Sequence, residues 1–388
     1  MMVAQFKYWI FYAFVFLFLG VQLPFISGLF AARGMSAVDI SIVLSASLIG
    51  RIVLTPFAAM AADQAADRRG PIVITTLVLA AGAVALAFAE GFWATFITAV
   101  VALWAFGAVV PMIDVAAMEA QKNGALHYGR ARGVGSAAFV VANIAGGALI
   151  GSVGYGGAGV WMAASAVGLV GAALILPRQP VIRRPAPPRA VWKDAAKLFT
   201  EPAFVAFLCV LAAIQGAHAT YYGFSILHWS ELGYSQLTIG VLWAVGVVAE
   251  IVILMCGVRL GRAFGIFGLF ALGAGGAALR WTLTALEPPL AALVFLQTLH
   301  GLTFAATHLG TVMFVQAAAP ERIANTAMTT ASATGVGAAT GLATLGAGWL
   351  FQNVGAGAAY GAMAAMGLCG LMSIYVLKRI WRGAALFA

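Results

Sequence analysis

The stretch Gly34–Val53, GMSAVDISIVLSASLIGRIV, lies without a gap on Gly233–Val252, GYSQLTIGVLWAVGVVAEIV, at a constant offset of 199. Gly34 matches Gly233, Ser36 matches Ser235, Ile40 matches Ile239 and Val53 matches Val252. Each copy opens on a Gly-x-Ser turn and runs on as apolar sequence. A serine at that point can cap the free backbone N–H groups of a helix start. A repeat of this separation is what a chain of two parallel halves produces.

Working outward, the apolar segments are 7–30, 38–61, 71–89, 92–117, 133–153, 157–176, 202–228, 236–258, 264–284, 289–316, 326–350 and 357–378. Each is near the roughly 20 residues a helix needs to cross hydrocarbon. Continuous apolar runs exclude a membrane β-barrel, whose strands alternate. The fold class is therefore an all-α membrane protein of twelve transmembrane helices. Composition agrees: 63% of residues are hydrophobic and 9% charged, far from a soluble domain.

Orientation follows from lysine and arginine. Eighteen fall in gaps on one side, Arg33 and Arg280 near the other, and Arg51 within a segment. This places both termini in the cytoplasm of a bacterial inner membrane. The net charge of +9 is a topology signal spread over short loops, so no nucleic-acid partner is implied. The first segment holds Gln22 and Pro24 and lacks a cleavage-type ending, so it reads as a retained helix. Cys209, Cys256 and Cys369 lie in apolar segments without metal-ligand spacing. The longest connection, 177–201, contains the Pro- and Arg-rich run Pro177–Arg189. It divides the chain into bundles 1–176 and 202–388, with a short amphipathic helix expected at 190–199 along the headgroups.

Few polar residues remain inside the segments. The repeat sets Arg51 opposite Glu250, both near mid-membrane, where a charge costs about 3 kcal/mol. Asp114 lies at a depth Arg51 can reach. Their expected pair either ties two helices together or meets an anionic substrate. A carboxyl held away from water favours its neutral form, which is what a proton carrier at Glu250 requires. His300, Thr303, Thr307 and Thr311 share one helical face, with Gln297 close by and His308 about 80° around. Gln215, His218, Tyr222 and Ser225 form a second stripe, beside Tyr221. Such stripes either line a cavity or bond neighbouring helices. His228, Trp229 and Glu231 read as interface residues, and Arg280–Trp281 as a pair snorkelling to the headgroups. Asp63, Asp67, Arg68 and Arg69 cluster in the loop after the second segment, and a charged loop of this kind can latch helix ends in one conformation and release them in another. The five histidines form no metal box, and no nucleophile–base arrangement is evident, so the chain is not read as an enzyme.

Gln215-Gly216-Ala217-His218-Ala219-Thr220-Tyr221-Tyr222-Gly223-Phe224-Ser225, Gly233-Tyr234-Ser235 and Leu242-Trp243-Ala244-Val245-Gly246-Val247-Val248-Ala249-Glu250 together resemble the major facilitator superfamily. The closer resemblance is to its phenylpropionate-permease-type branch, related to lactose permease. Arg51, Pro111-x-x-Asp114, Tyr128-Gly129-Arg130-x-Arg132, Arg280-Trp281 and Gln297-x-Leu299-His300 also fit. The loop Ala59-Met60-Ala61-Ala62-Asp63-Gln64-Ala65-Ala66-Asp67-Arg68-Arg69 departs from the family pattern: Asp63 stays, both glycines are gone, and the basic pair is displaced. The resemblance implies two pseudo-symmetric six-helix bundles rocking about a central site in a monomer, driven by proton symport. It implies import of a small organic molecule, most readily an aromatic carboxylate. Tyr12, Trp104, Tyr221, Tyr222 and Trp243 would stack on its ring, and Arg51 or a histidine would meet its carboxylate. Asp114, Gln297, Thr303, Thr307 and His308 would complete the site. Glu250, with His218 and His300, would carry the proton. A sugar or nucleoside symporter of the same fold, or a non-transporting sensor or assembly factor, are the rival readings. No cofactor or metal is implied.

Overall fold

The computed structural model describes residues 2–180, 193 and 195–387, apart from the side chains of Pro56, Ala59, Asp63 and Arg322. Of the expected helix at 190–199, residues 190–192 and 194 lie outside the described residues, and 193 and 195–198 are helical. The helices are α1 (Met2–Ala32), α2 (Ala37–Gln64), α3 (Arg69–Phe88), α4 (Gly91–Lys122), α5 (Tyr128–Val153) and α6 (Gly156–Ile175). They continue as α7 (Pro202–Glu231), α8 (Gln236–Met255), α9 (Gly257–Ala285), α10 (Leu290–Ala318), α11 (324–353) and α12 (Ala356–Ile380). Eleven of these are long and apolar enough to span a membrane. The twelfth, α11, is helical over its whole apolar segment. It is split by the π turn Ala331–Ala338 between Ala324–Thr330 and Ala339–Asn353. The chain is a multi-pass integral membrane protein.

Helices α1, α5 and α9 start earlier than the sequence reading, α1 at Met2. Helix α5 begins at Tyr128, so Arg130 and Arg132 belong to its first turns. Helix α9 begins at Gly257 and kinks at Gly265, whose φ of 61° only glycine adopts readily.

The repeated turn has the same atomic form in both copies. Gly34 and Gly233 have φ of 79° and 83°. Each closes the preceding helix, with Met35 N bonded to the Phe30 carbonyl and Tyr234 N to the Trp229 carbonyl. Ser36 Oγ then accepts from Asp39 N at 3.1 Å while Asp39 Oδ2 accepts from Ser36 N at 3.0 Å, a full capping box. Ser235 Oγ accepts from Thr238 N at 3.2 Å.

Contacts divide the chain into two compact units, one of Met1–Arg184 with Phe224–Ala244, the other of Pro185–Gly223 with Val245–Ala388. In the first, α1 packs on α5 and α6, and α3 on α4 and α6. In the second, α7 packs on α11 and α12, and α9 on α10 and α12. The order of partners is the same, first helix on fifth and sixth, third on fourth and sixth. Lipid supplies no hydrophobic drive between helices, so close packing of small residues holds them. A Cβ on Gly82 of α3 would lie 2.9 Å from the Ala102 backbone in α4, and one on Gly367 of α12 would lie 2.5 Å from the Ala278 backbone in α9.

Candidate functional site

The second unit gathers a cluster of buried polar residues around two irregular helices. Helix α7 breaks at Ala217–His218, between Pro202–Gly216 and Ala219–Glu231. A break strands backbone carbonyls, and they find partners: His218 Nδ1 meets the Ile214 and Gln215 carbonyls at 3.1 and 3.3 Å, and Thr340 Oγ1 donates to Gln215 O at 3.4 Å. Helix α10 passes through a π turn at Gly301–Ala306 directly after His300. Such turns re-aim side chains and recur at functional sites.

Donor and acceptor chemistry fixes both imidazoles. Carbonyls only accept, so His218 Nδ1 carries a hydrogen; its Nε2 faces Thr303 Oγ1 at 2.9 Å. A guanidinium only donates, so His300 Nδ1, 3.1 Å from Arg280 Nη1, is the bare acceptor nitrogen. The hydrogen of neutral His300 is then on Nε2, which points to Glu250 Oε2 at 3.9 Å. Arg280 Nη2 donates to Gln297 Oε1 at 2.7 Å. The guanidinium carbon lies 4.6 Å from the Tyr221 ring centre and 4.3 Å from that of Trp281, both within cation–π range. Tyr222 stacks on His218 at 5.3 Å and Phe304 on His300 at 5.6 Å.

Exposure falls along this chain. The Glu250 side chain is 23% exposed and that of His300 7%, while Arg280 and His218 are wholly buried. The structure thus joins Glu250, His300, Gln297, Arg280, Tyr221 and Tyr222, with His218 and Thr303 beside them. Thr307 is buried next to Gly273 of α9. His308 is exposed on another face.

Several expectations are corrected. Arg280 and Trp281 do not snorkel; both are fully buried, because α7 and α10 close over them. His228 and Trp229 are likewise buried and not interfacial. Arg51 and Asp114 do not pair. Arg51 lies across Gly107 and donates from Nε to the Leu103 carbonyl at 3.1 Å. Asp114 Oδ1 accepts from Tyr12 OH at 2.6 Å and lies 3.6 Å from Arg132 Nη1. Trp104 is held between α2 and α4, packed on Gly50 with its indole N–H on the Ala46 carbonyl at 3.1 Å. Trp243 is buried and donates to Ser225 Oγ at 3.3 Å.

In the loop after α2, Arg68 makes a two-pronged bond to Glu119 of α4 at 2.8 and 3.2 Å. Asp67 Oδ1 accepts from Arg69 N and from Gln179 N, just beyond α6. The Asp63 side chain expected to gate here lies outside the described residues. Sequence reasoning had missed Arg280 as a centre and Arg132 as the partner of Asp114. The signals were an arginine on the basic-poor side of the membrane and the Tyr128-Gly129-Arg130-x-Arg132 run.

The model of the MFS_1 like family matches residues 5–362. The chain belongs to the MFS_1 like family. It is 28% identical over 372 residues to the "Probable 3-phenylpropionic acid transporter" of Escherichia coli strain K12, covering 93% of this chain and 94% of that one. It is 27% identical over 382 residues to "Maltose permease" of Geobacillus stearothermophilus, covering 97% and 95%. Among solved structures it resembles the nucleoside transporter NupG with a TM-score of 0.81 at 15% identity, over 98% of this chain and all of that one. The fold of this MFS_1-like chain is that of the major facilitator transporters, and the chain is a transporter and not an enzyme.

Proposed function

We propose that this transporter is a proton-coupled symporter that imports a small aromatic carboxylate of the phenylpropionate type by alternating access. The observation that carries the reading is the contact line Glu250–His300–Arg280, in which a partly exposed carboxylate leads to a buried imidazole and a buried cation. Glu250 exchanges the proton with water, and His300 and His218 are the protonatable groups behind it. Tyr221 and Tyr222 supply ring faces for the substrate. Gln297, Thr303 and Thr307 offer its hydrogen bonds. Arg68 and Arg69 act at the gating loop.

The protein works as a monomer in the inner membrane with both termini cytoplasmic, a placement supported by the lysine and arginine distribution. Its halves 1–176 and 202–388, joined by 177–201, move as bodies. The test is uptake by purified protein in liposomes under an imposed inward proton gradient. Accumulation of 3-phenylpropionate that a protonophore collapses is expected. A sugar-symport reading draws on the maltose permease relative; accumulation of maltose with no uptake of aromatic acids would establish it instead.

A further inference from the structure

Arg280 is fully buried, yet its donors are not all used. They reach His300, Gln297 and the Tyr221 hydroxyl, and Nε has no acceptor. The amide nitrogen of Gln297 and the indole nitrogen of Trp281 are also buried donors without an acceptor. Among the described residues Arg280 forms no ion pair with a carboxylate. A guanidinium cut off from water and ringed by surplus donors is a site short of an acceptor. A planar carboxylate is the acceptor that engages two guanidinium N–H groups at once.

One of the contacts is also provisional by its chemistry. Arg280 can donate to His300 Nδ1 only while that nitrogen is bare. Protonation of Nδ1 and the Arg280–His300 bond therefore exclude each other. We propose that Arg280 receives the carboxylate of the transported acid, that the acid displaces His300 from it, and that the released Nδ1 takes up the accompanying proton.

Charge makes the two events depend on one another. The charged and titratable groups facing His300 are Arg280 on α9, Glu250 on α8, and His218, Tyr221 and Tyr222 on α7. With His300 neutral and the site empty, Arg280 and Glu250 cancel. An acid arriving alone leaves one negative charge over, and a proton arriving alone leaves one positive charge. Either is costly at membrane depth. Both together give Arg280 with the acid and protonated His300 with Glu250, again neutral. The proton is taken from water entering with the acid and adds to the freed Nδ1, Nε2 keeps its hydrogen toward the Glu250 carboxylate, and no other bond is made or broken. Acid and proton then raise each other's affinity by the same factor, as linkage demands.

This rests on the symport reading, and binding measurements separate the two. Purified protein in nanodiscs is titrated with 3-phenylpropionate, and with its uncharged amide, in buffers of different ionisation heat. A proton taken up per acid bound, and none with the amide, is expected. Arg280→Lys should weaken acid binding by at least about tenfold and weaken binding of the amide, which accepts as a neutral group, by less. In His300→Gln, whose side chain can accept from Arg280 but not titrate, the acid should bind without proton uptake. Unchanged acid affinity in Arg280→Lys, or proton uptake persisting in His300→Gln, overturns the inference and leaves symport standing. A wild-type protein that binds no aromatic acid overturns the symport reading itself, and the inference with it.

Discussion

Arg51 and Glu250 stand at the same place in the internal repeat, and each turns toward the helix two further along the chain. Arg51 of α2 reaches α4, donating to the Leu103 carbonyl at 3.1 Å. Glu250 of α8 faces His300 of α10 at 3.9 Å. The geometry is shared and the chemistry has diverged. A backbone carbonyl cannot exchange a proton, so Arg51 is held, whereas an imidazole can, so Glu250 is switchable.

Replacing Glu250 by Gln keeps the shape and removes the titrating group. Uphill accumulation should be lost while exchange of preloaded for external substrate continues. Liposomes carrying Glu250→Gln are compared in both assays; retained uphill accumulation would take Glu250 out of the proton path.

A packing prediction concerns α5 and α8 within the first unit. A methyl group added at Gly147 runs into the Gln236 carbonyl, and one at Gly240 runs into that of Asn143. Both obstacles are backbone and cannot rotate aside. Gly147→Ala and Gly240→Ala should each destabilise by about 1–3 kcal/mol, seen as a lower melting temperature in detergent. Gly171→Ala, where nothing lies within 4 Å of the new atom, is the control expected to stay near wild type.

The fold was legible because lipid punishes an unsatisfied backbone, so apolar length alone fixed the helices. The Gly-x-Ser turn fixed two of their boundaries. The polar stripes of α7 and α10 were legible from periodicity, and the histidines of both meet in the structure. What periodicity could not give was lateral position. Depth along the chain brought Arg51 within reach of Asp114, but Asp114 faces α1 and α5, where Tyr12 and Arg132 hold it. Arg33 and Arg280 were alike as exceptions to the basic-side rule. Arg33 donates to the Leu86 and Ala87 carbonyls at the end of α3, while Arg280 is buried by helices distant in sequence. No residue type marks a π turn, so the irregularity after His300 had no sequence signal.

The two capping serines should differ in worth. Ser36 belongs to a reciprocal box with Asp39, whereas Thr238 returns only a hydroxyl contact to Ser235 at 2.9 Å. Removing a cap costs about 1 kcal/mol, and Ser36→Ala also leaves the Asp39 carboxylate without its hydroxyl donor. Ser36→Ala should therefore lower the melting temperature more than Ser235→Ala. Equal shifts, or the reverse order, would show that the box adds nothing in this setting.

If acid and proton load Arg280 and His300 together, the cargo carries no net charge. Import of a monocarboxylate should then follow the pH gradient and ignore membrane potential. In liposomes with the potential clamped by potassium and valinomycin, setting it to either sign should leave the initial uptake rate unchanged. A gradient of one pH unit should support accumulation of up to about tenfold. Uptake driven by an inside-negative potential at equal pH, or a transport current on a supported membrane, would mean that more protons than acids cross. A second titrating group, for which His218 on the Thr303 side is the candidate, would then have to load in the same cycle.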